Sequence, residues 1–280
     1  MADYLITGAN GQLGTELRKL LDSKGISYTA HDADTMDITD ADKTMSVIKA
    51  EQPKVIFHCA AFTAVDAAED KKKDLNWHVN VDGTQNVANA AKAVGATMVY
   101  ISTDYIFDGT NQGEYVEDDE ANPKNEYGRA KFAGEQAVRN TLNDYYIVRT
   151  SWVFGKYGHN FVYTMLRLAE SHDKLTVVND QVGRPTWTNT LANFMLYLIQ
   201  NQCEFGTYQL SNEDSCSWYE FAKVILKDKS VDVEPVTSEQ YPQKAYRPRH
   251  SIMSLKKAEA TGFTIPTWEE ALAKFLDEID

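Results

Sequence analysis

Tyr127 and Lys131 stand four residues apart in Tyr127-Gly128-Arg129-Ala130-Lys131, so on a helix a phenol and an ammonium would share one face. That pairing suits proton transfer to a carbonyl. A carbonyl taking up hydride develops alkoxide charge and needs a donor, and a free Tyr, with a pKa of about 10, is reluctant near neutrality. An ammonium ~4 Å away is worth up to roughly 4 kcal/mol at an effective dielectric near 20. It is expected to bring the phenol down by about 2–3 pH units, towards working pH. Thr103, in Ser102-Thr103-Asp104-Tyr105, adds a hydroxyl that can hold the carbonyl oxygen. A surface ion pair between Lys131 and Glu135 is the plainer reading of the same lysine and can coexist with it.

A hydride donor needs a cradle, and the first turn of the chain offers one. Gly8-Ala9-Asn10-Gly11-Gln12-Leu13-Gly14 follows an apolar run, Tyr4 to Thr7, and opens a helical pattern. The spacing is G-x-x-G-x-x-G, which lets backbone turn tightly and approach a pyrophosphate at a helix N-terminus. Gly8, Asn10, Gly11, Gln12, Leu13 and Gly14 are therefore candidate cofactor residues. A phosphate-binding P-loop is excluded, because Thr15-Glu16 follows Gly14 where that motif needs Lys. Asp32 lies 18 residues past Gly14, where an acid can accept from the adenosine ribose. No Lys or Arg occurs between Ile26 and Asp42 to hold a 2′-phosphate, which favours NAD over NADP.

The elements that must position these groups alternate. Strands are expected at Tyr4 to Thr7, Ser27 to His31, Val55 to Cys59, Met98 to Ile101 and Tyr145 to Val148, with helical patterns between them. Leu13, Leu17, Leu20 and Leu21 form one face of the first helix, Gly25 stops it, and Asp40 is placed to cap the second. Strands joined by crossover helices give an α/β fold, a Rossmann-type doubly wound parallel sheet. Tyr127 then starts the helix after the fourth strand, at the carboxyl edge where nucleotides bind, and Thr103 ends that strand. Beyond Thr150 the pattern loosens into helices near 160–171, 191–200, 218–227 and 267–280, separated by Asp-, Asn-, Gly- and Pro-rich loops. The expected division is a dinucleotide-binding domain over 1–151, completed by 176–211, and a smaller mixed α/β substrate-binding cap from 152–175 and 212–280. Tyr246-Arg247-Pro248-Arg249-His250 is the dense basic cluster of that cap.

Composition removes several other functions. With 28 Lys+Arg against 41 Asp+Glu the 280-residue chain carries −13, which disfavours nucleic acid and anionic membranes as partners. No apolar run approaches the ~20 residues of a membrane span, no basic leader precedes Tyr4, and Cys59, Cys203 and Cys216 fit neither a disulfide framework nor a zinc site. A cytoplasmic protein is expected. The six His make no metal spacing, and G-x-S-x-G is absent.

Together these motifs resemble the extended short-chain dehydrogenase/reductase superfamily, and within it the dTDP-4-dehydrorhamnose reductases. The resemblance rests on Ile6 through Gly14, Ala60-Ala61-Phe62-Thr63-Ala64-Val65-Asp66, Ser102 through Gly109 and Tyr127 through Lys131. It is extended by Arg149 through Gly155, Asp180 through Thr186 and Arg247-Pro248-Arg249-His250-Ser251, so it covers almost the whole chain. What it implies is reduction of the 4-keto group of dTDP-4-dehydro-L-rhamnose to dTDP-L-rhamnose by NAD(P)H, the last step of dTDP-L-rhamnose biosynthesis. On this reading Tyr127 is the general acid, Lys131 modulates it and binds ribose, and Thr103 orients the carbonyl. The resemblance also implies Asp37 and Ile38 at the adenine, and Ala60, Ala61, Phe62, Thr63 and Asn80 beside the cofactor. It places Val65, Asp104, Tyr105 and Trp152 on the sugar and Arg247 on the diphosphate.

His250 stands where relatives often have Asn. Some members dimerise through magnesium held by glutamates; no cluster here places that ion, and no metal is expected. The family often accepts both cofactors while Asp32 favours NADH, so NADP(H) and NAD(H) are ranked equally; monomer and homodimer both remain open. Two other readings compete. A sugar-nucleotide dehydratase or epimerase shares the scaffold, but dehydratases carry Thr-Asp-Glu where this chain has Thr103-Asp104-Tyr105. A non-catalytic subunit like the regulator of methionine adenosyltransferase would not need Thr103, Tyr127 and Lys131 intact.

Overall fold

The computed structural model describes residues 2–279. Strands Tyr4–Thr7 (β1), Tyr28–His31 (β2), Val55–His58 (β3), Thr97–Thr103 (β4) and Tyr145–Thr150 (β5) alternate with helices Gln12–Ser23 (α1), Ala41–Glu51 (α2), Val65–Ala68 (α3), Lys73–Trp77 (α4), Thr84–Val94 (α5) and Glu126–Thr141 (α6). The strands are parallel, and neighbouring residues along each strand face opposite sides. Ile6, Phe57, Val99 and Val148 enter one buried cluster. Leu5, Ile56, Met98 and Ile147 enter the other. Both faces are therefore covered, as a parallel sheet requires, and each fully buried Leu or Phe contributes roughly 1.5–3 kcal/mol.

Local chemistry sets the helix ends. Asp40 caps α2 through a bond from the Lys43 amide at 2.9 Å. Asn125 caps α6, accepting from the Gly128 amide at 2.7 Å. The helical run expected before β4 is interrupted: α4 passes through a π-helical turn, His78–Gly83, before α5 resumes. A π turn carries one extra residue, so the side chains beyond it are one position out of step with an uninterrupted α-helical repeat.

The second half continues through Val153–Phe154 (β6), Phe161–Ala169 (α7), Lys174–Val178 (β7), Val182–Gly183 (β8), Thr186–Trp187 (β9), Thr188–Gln200 (α8), Gly206–Gln209 (β10), Cys216–Ser217 (β11), Trp218–Ile225 (α9), Asp232–Val236 (β12), Lys256–Ala260 (α10) and Trp268–Ile279 (α11). β10 joins the sheet, giving six strands in the order β10-β5-β4-β3-β1-β2. Helix α8 packs Leu191, Phe194 and Leu198 into the cluster that holds Leu17 and Leu21 of α1. The remaining strands form two-stranded pairs, β12 with β7, β11 with β8 and β6 with β9. They surround a separate core around Phe154, Trp187, Phe221, Trp268 and Phe275. Among the described residues no helix is long and apolar enough to cross a membrane.

Candidate active site

At the carboxyl edge of the sheet, the turn after β1 and the loop after β3 meet at the closest approach in the cradle. Gly8 has φ +63°, and a Cβ there would lie 2.6 Å from the Ala60 backbone. A Cβ on Gly14 would lie 2.8 Å from the Ala9 Cα. Only glycine allows both contacts. Above them is a groove of about 240 Å3 lined by Gly8, Gly11, Asp32, Asp37, Ile38, Ala60 and Ala61, together with Ala33, Met36, Cys59 and Val79. Its shape and its glycine floor fit the adenosine and pyrophosphate of a dinucleotide. Asp32 braces the turn, accepting from the Asn10 amide at 2.9 Å through Oδ2. Asp37 accepts from the Thr39 amide at 2.9 Å.

Other candidates near the groove act on its walls. Asn80 is fully buried. Its amide clamps the loop after β3, accepting from Phe62 N at 3.1 Å and donating to Phe62 O at 3.0 Å. The π turn aims it there. Leu13 packs into the core beside α8. Gln12 reaches the second half of the chain, accepting from Asn160 Nδ2 at 2.9 Å. Phe62 is half-buried, whereas Thr63 is exposed.

The proton-transfer groups converge at the end of β4. Tyr127 is half-buried in the first turn of α6. Its ring stands edge-on to Tyr105, 6.0 Å between centroids. Thr103 is buried, and its hydroxyl donates to Asp104 Oδ1 at 3.1 Å. Lys131 is 2% exposed, and its Nζ sits 4.1 Å over the Tyr100 ring. No hydrogen bond from that Nζ to a protein acceptor is formed among the described residues, which leaves its donors for a ligand.

This arrangement corrects the expected electrostatics of the pair. Tyr127 is not pulled down by Lys131. Burial pushes the phenol above its ordinary value, the Asp104 carboxylate pushes it further, and the Thr103 hydroxyl opposes them. The ammonium faces the Tyr100 ring instead. Burial lowers Lys131 to about 7, opposed by Glu135 and Cys59. Asp104, 2% exposed with Oδ2 unpartnered, is raised by burial to about 6, against hydrogen bonds from Ser251 and Thr103. Near neutrality the phenol therefore keeps its proton, and Lys131 carries a charge that is easily lost. His58, close enough to feel the Lys131 charge, is a core residue. It bonds Thr7 Oγ1 at 2.7 Å and Thr84 Oγ1 at 3.2 Å, and burial lowers it to about 3.

The sugar-side candidates lie across the cleft. Val65 opens α3. Trp152, at φ +47°, stacks on Trp218 with 3.7 Å between centroids. Arg247 is held by Asp66, Nη2 to Oδ2 at 2.9 Å, with its guanidinium 5.7 Å from the Tyr105 ring. Sequence reasoning missed four participants. Asp66 lay inside a quoted motif, and Ser251 closed another. Nothing local marked Trp218, whose partner is 66 residues away, or Arg18, whose guanidinium donates to Asn10 Oδ1 at 3.0 Å. Among the described residues no group of three or more His, Cys, Asp or Glu is placed to hold a metal.

The family model for the RmlD substrate-binding domain matches residues 2–280. A dTDP-4-dehydrorhamnose reductase of Aggregatibacter actinomycetemcomitans is 39% identical, covering 97% of each chain. The chain belongs to the RmlD family, that of the dTDP-4-dehydrorhamnose reductases. The spore coat polysaccharide biosynthesis protein SpsK of Bacillus subtilis is 40% identical over 99% of this chain and 98% of that one. The crystal structure of the dTDP-4-dehydrorhamnose reductase from Bacillus anthracis, in complex with NADP, superposes with a TM-score of 0.95 at 44% identity, over 99% of this chain and 100% of that chain. Membership of the RmlD family spans both halves, so the sheet and the smaller core belong to one enzyme architecture.

Proposed function

We propose that this protein reduces the 4-keto group of dTDP-4-dehydro-L-rhamnose to dTDP-L-rhamnose with NAD(P)H. The observation that carries the reading is the meeting of Thr103, Tyr127 and Lys131 at the sheet edge beside the glycine-floored groove, in a chain that matches the reductases over its full length. When bound, the reduced nicotinamide supplies the hydride. Gly8, Gly11 and Gly14 admit the pyrophosphate, with Asn10, Gln12 and Leu13 shaping the same turn, and Asp32 accepts from the adenosine ribose. Asp37 and Ile38 border the adenine, while Ala60, Ala61, Phe62 and Thr63 form the opposite wall under Asn80.

Thr103 holds the substrate carbonyl oxygen by turning to it the hydroxyl proton that it otherwise gives to Asp104. Tyr127 gives its phenolic proton to that oxygen as alkoxide charge develops. An alkoxide is a far stronger base than a phenolate, so a phenol with a raised pKa still donates downhill. Lys131 holds ribose hydroxyls with donors that no protein acceptor occupies, and its charge stabilises the phenolate left behind. Tyr105, Asp104, Val65 and Trp152 border the sugar. Arg247 binds the diphosphate once it leaves Asp66. Residues 1–151 with α8 and β10 act as the dinucleotide-binding domain; β7, β8 and β9, whose residues fall partly within the expected 176–211 stretch, pair with β12, β11 and β6 and so act with 152–175 and 212–280 in the cap. The enzyme acts in the cytoplasm as a monomer or homodimer; three free cysteines support a reducing compartment.

The test follows loss of reduced-nicotinamide absorbance on adding dTDP-4-dehydro-L-rhamnose, with NADH and NADPH in parallel. Stoichiometric oxidation with dTDP-L-rhamnose formed is expected. Cofactor binding without oxidation would transfer the assignment to a regulatory subunit or to another keto sugar.

A further inference from the structure

Behind the glycine turn that borders the cofactor groove lies a cation that the sequence pattern did not point to. Arg18 lies one turn into α1, outside the 26–42 interval in which a 2′-phosphate partner is ordinarily sought. Its Nη1 donates to Asn10 Oδ1 at 3.0 Å and to the Ala9 carbonyl at 3.3 Å. Asn10 in turn donates its amide to Asp32 Oδ2 at 2.9 Å. The guanidinium is thus one residue away from the carboxylate assigned to the adenosine ribose. No carboxylate comes within ion-pairing distance of Arg18 among the described residues, and its Nε has no acceptor. In a chain of net charge −13, a half-buried arginine without a counter-ion is a site for an anion brought from outside.

We infer that Arg18 is the residue that binds the 2′-phosphate of NADPH, and that Arg18 and Asp32 together make the adenosine pocket serve both cofactors. The assignment of a dinucleotide to this groove is the reading above, and the inference rests on it. An adenosine 2′-phosphate carries nearly two negative charges at neutral pH, and Asp32 alone would repel it. A guanidinium fixed beside Asp32 offsets that repulsion, and its planar donors match phosphate oxygens. With NADH the same Asp32 accepts from the free ribose hydroxyl, and Arg18 has no phosphate to hold. The two contacts that Nη1 makes to the glycine turn keep the cation in place before the cofactor arrives, so ordering it on binding costs little.

The test measures binding without sugar, by nicotinamide fluorescence, so that it stands apart from the sugar assignment. Arg18→Gln is expected to weaken NADPH about tenfold relative to NADH, the loss of one charged phosphate contact. Arg18→Lys is expected to restore part of the difference. If Arg18 only braces the turn, Arg18→Gln weakens both cofactors equally, and that outcome overturns the inference, as does no change with either. On the unmodified protein the NADPH-to-NADH affinity ratio is expected to fall as ionic strength rises; a ratio insensitive to salt counts against Arg18 even if the variants fold poorly. An Arg18-dependent preference in a protein that reduces no dTDP-sugar would leave the inference standing and remove the proposed substrate. Failure to bind either cofactor would remove both.

Discussion

The two walls of the cleft are made differently. On the cofactor wall the deciding contacts are backbone to backbone and the approach of Gly8 to Ala60 is too close for any side chain. On the sugar wall they are side-chain ties between distant segments: Arg247 to Asp66 across 181 positions, Lys244 to Asp70 across 174 and Asn125 Nδ2 to the Tyr246 carbonyl across 121. The first wall is fixed once the sheet forms. The second depends on a few polar contacts, of which Lys244–Asp70 is exposed and worth little on its own. One wall is therefore set before any ligand arrives, and the other can exchange its partners for the ligand.

The chemistry itself should break most cleanly. Tyr127→Phe removes the proton donor from between the walls without touching either, and turnover is expected to fall by about 10²–10⁴-fold with cofactor affinity kept. Full activity in that variant would overturn the assigned acid. On the rigid wall, Gly14→Ala puts a methyl against the Ala9 backbone. Cofactor binding, followed by titration, should fall by on the order of a hundredfold while sugar-nucleotide binding changes far less.

Lys131 separates function from stability. Its pKa is lowered on folding, so the unfolded chain binds its proton more tightly and the charge opposes folding at pH below about 7. That cost fades as pH rises from about 7 towards the unfolded value. Lys131→Met is expected to be inactive yet more stable by about 2–4 kcal/mol at neutral pH, with the gain in Tm shrinking in alkaline solution. In the unaltered enzyme, kcat/KM for reduction should decline as pH rises through about 7 and Lys131 loses its charge. A flat profile across that range would remove the lysine's charge from the mechanism.

The sugar wall gives the smallest and most diagnostic effect. Asp66→Ala frees Arg247 and should lower KM for the sugar nucleotide by a few fold, whereas Arg247→Ala should raise it. The stability change for Asp66→Ala is expected to be no more than about 1 kcal/mol, because Asp66 is half exposed and solvent screens the pair. Equal effects of both variants on KM would mean that the ion pair, not the free guanidinium, shapes the pocket.

The same contrast explains what was legible in the sequence. The cofactor wall is written in short spacings, three glycines within seven residues and an acid 18 positions on, so strand, turn and groove could be read directly. Short apolar strands joined by crossover helices made the doubly wound sheet legible, and the structure adds that Leu5 and Ile6, like Ile56 and Phe57, enter opposite cores. The Tyr127–Lys131 spacing was legible, but its electrostatics were not. They depend on Tyr100, a residue of β4 that sequence distance hides and that receives the ammonium instead. Asp66, Trp218 and Ser251 escaped because their partners lie on other segments, and Arg18 because the usual interval for a phosphate-binding residue does not include α1. The missing helical periodicity between Trp77 and Thr84 left no local mark of the π turn.

That turn has a consequence for how this chain tolerates length changes. Deleting one residue between His78 and Gly83 would close the wide turn to regular α geometry and leave α5 near its present phase, because the π turn is what absorbs the extra residue; only side chains within the turn would be re-aimed, by about 100° around the axis. Asn80 would then turn away from Phe62, and the loop carrying Ala60 and Ala61 would lose its buried anchor while every residue named in the reaction stayed in place. A point substitution at this helix removes one contact, but a single-codon deletion would re-aim the whole turn while sparing the helices on either side.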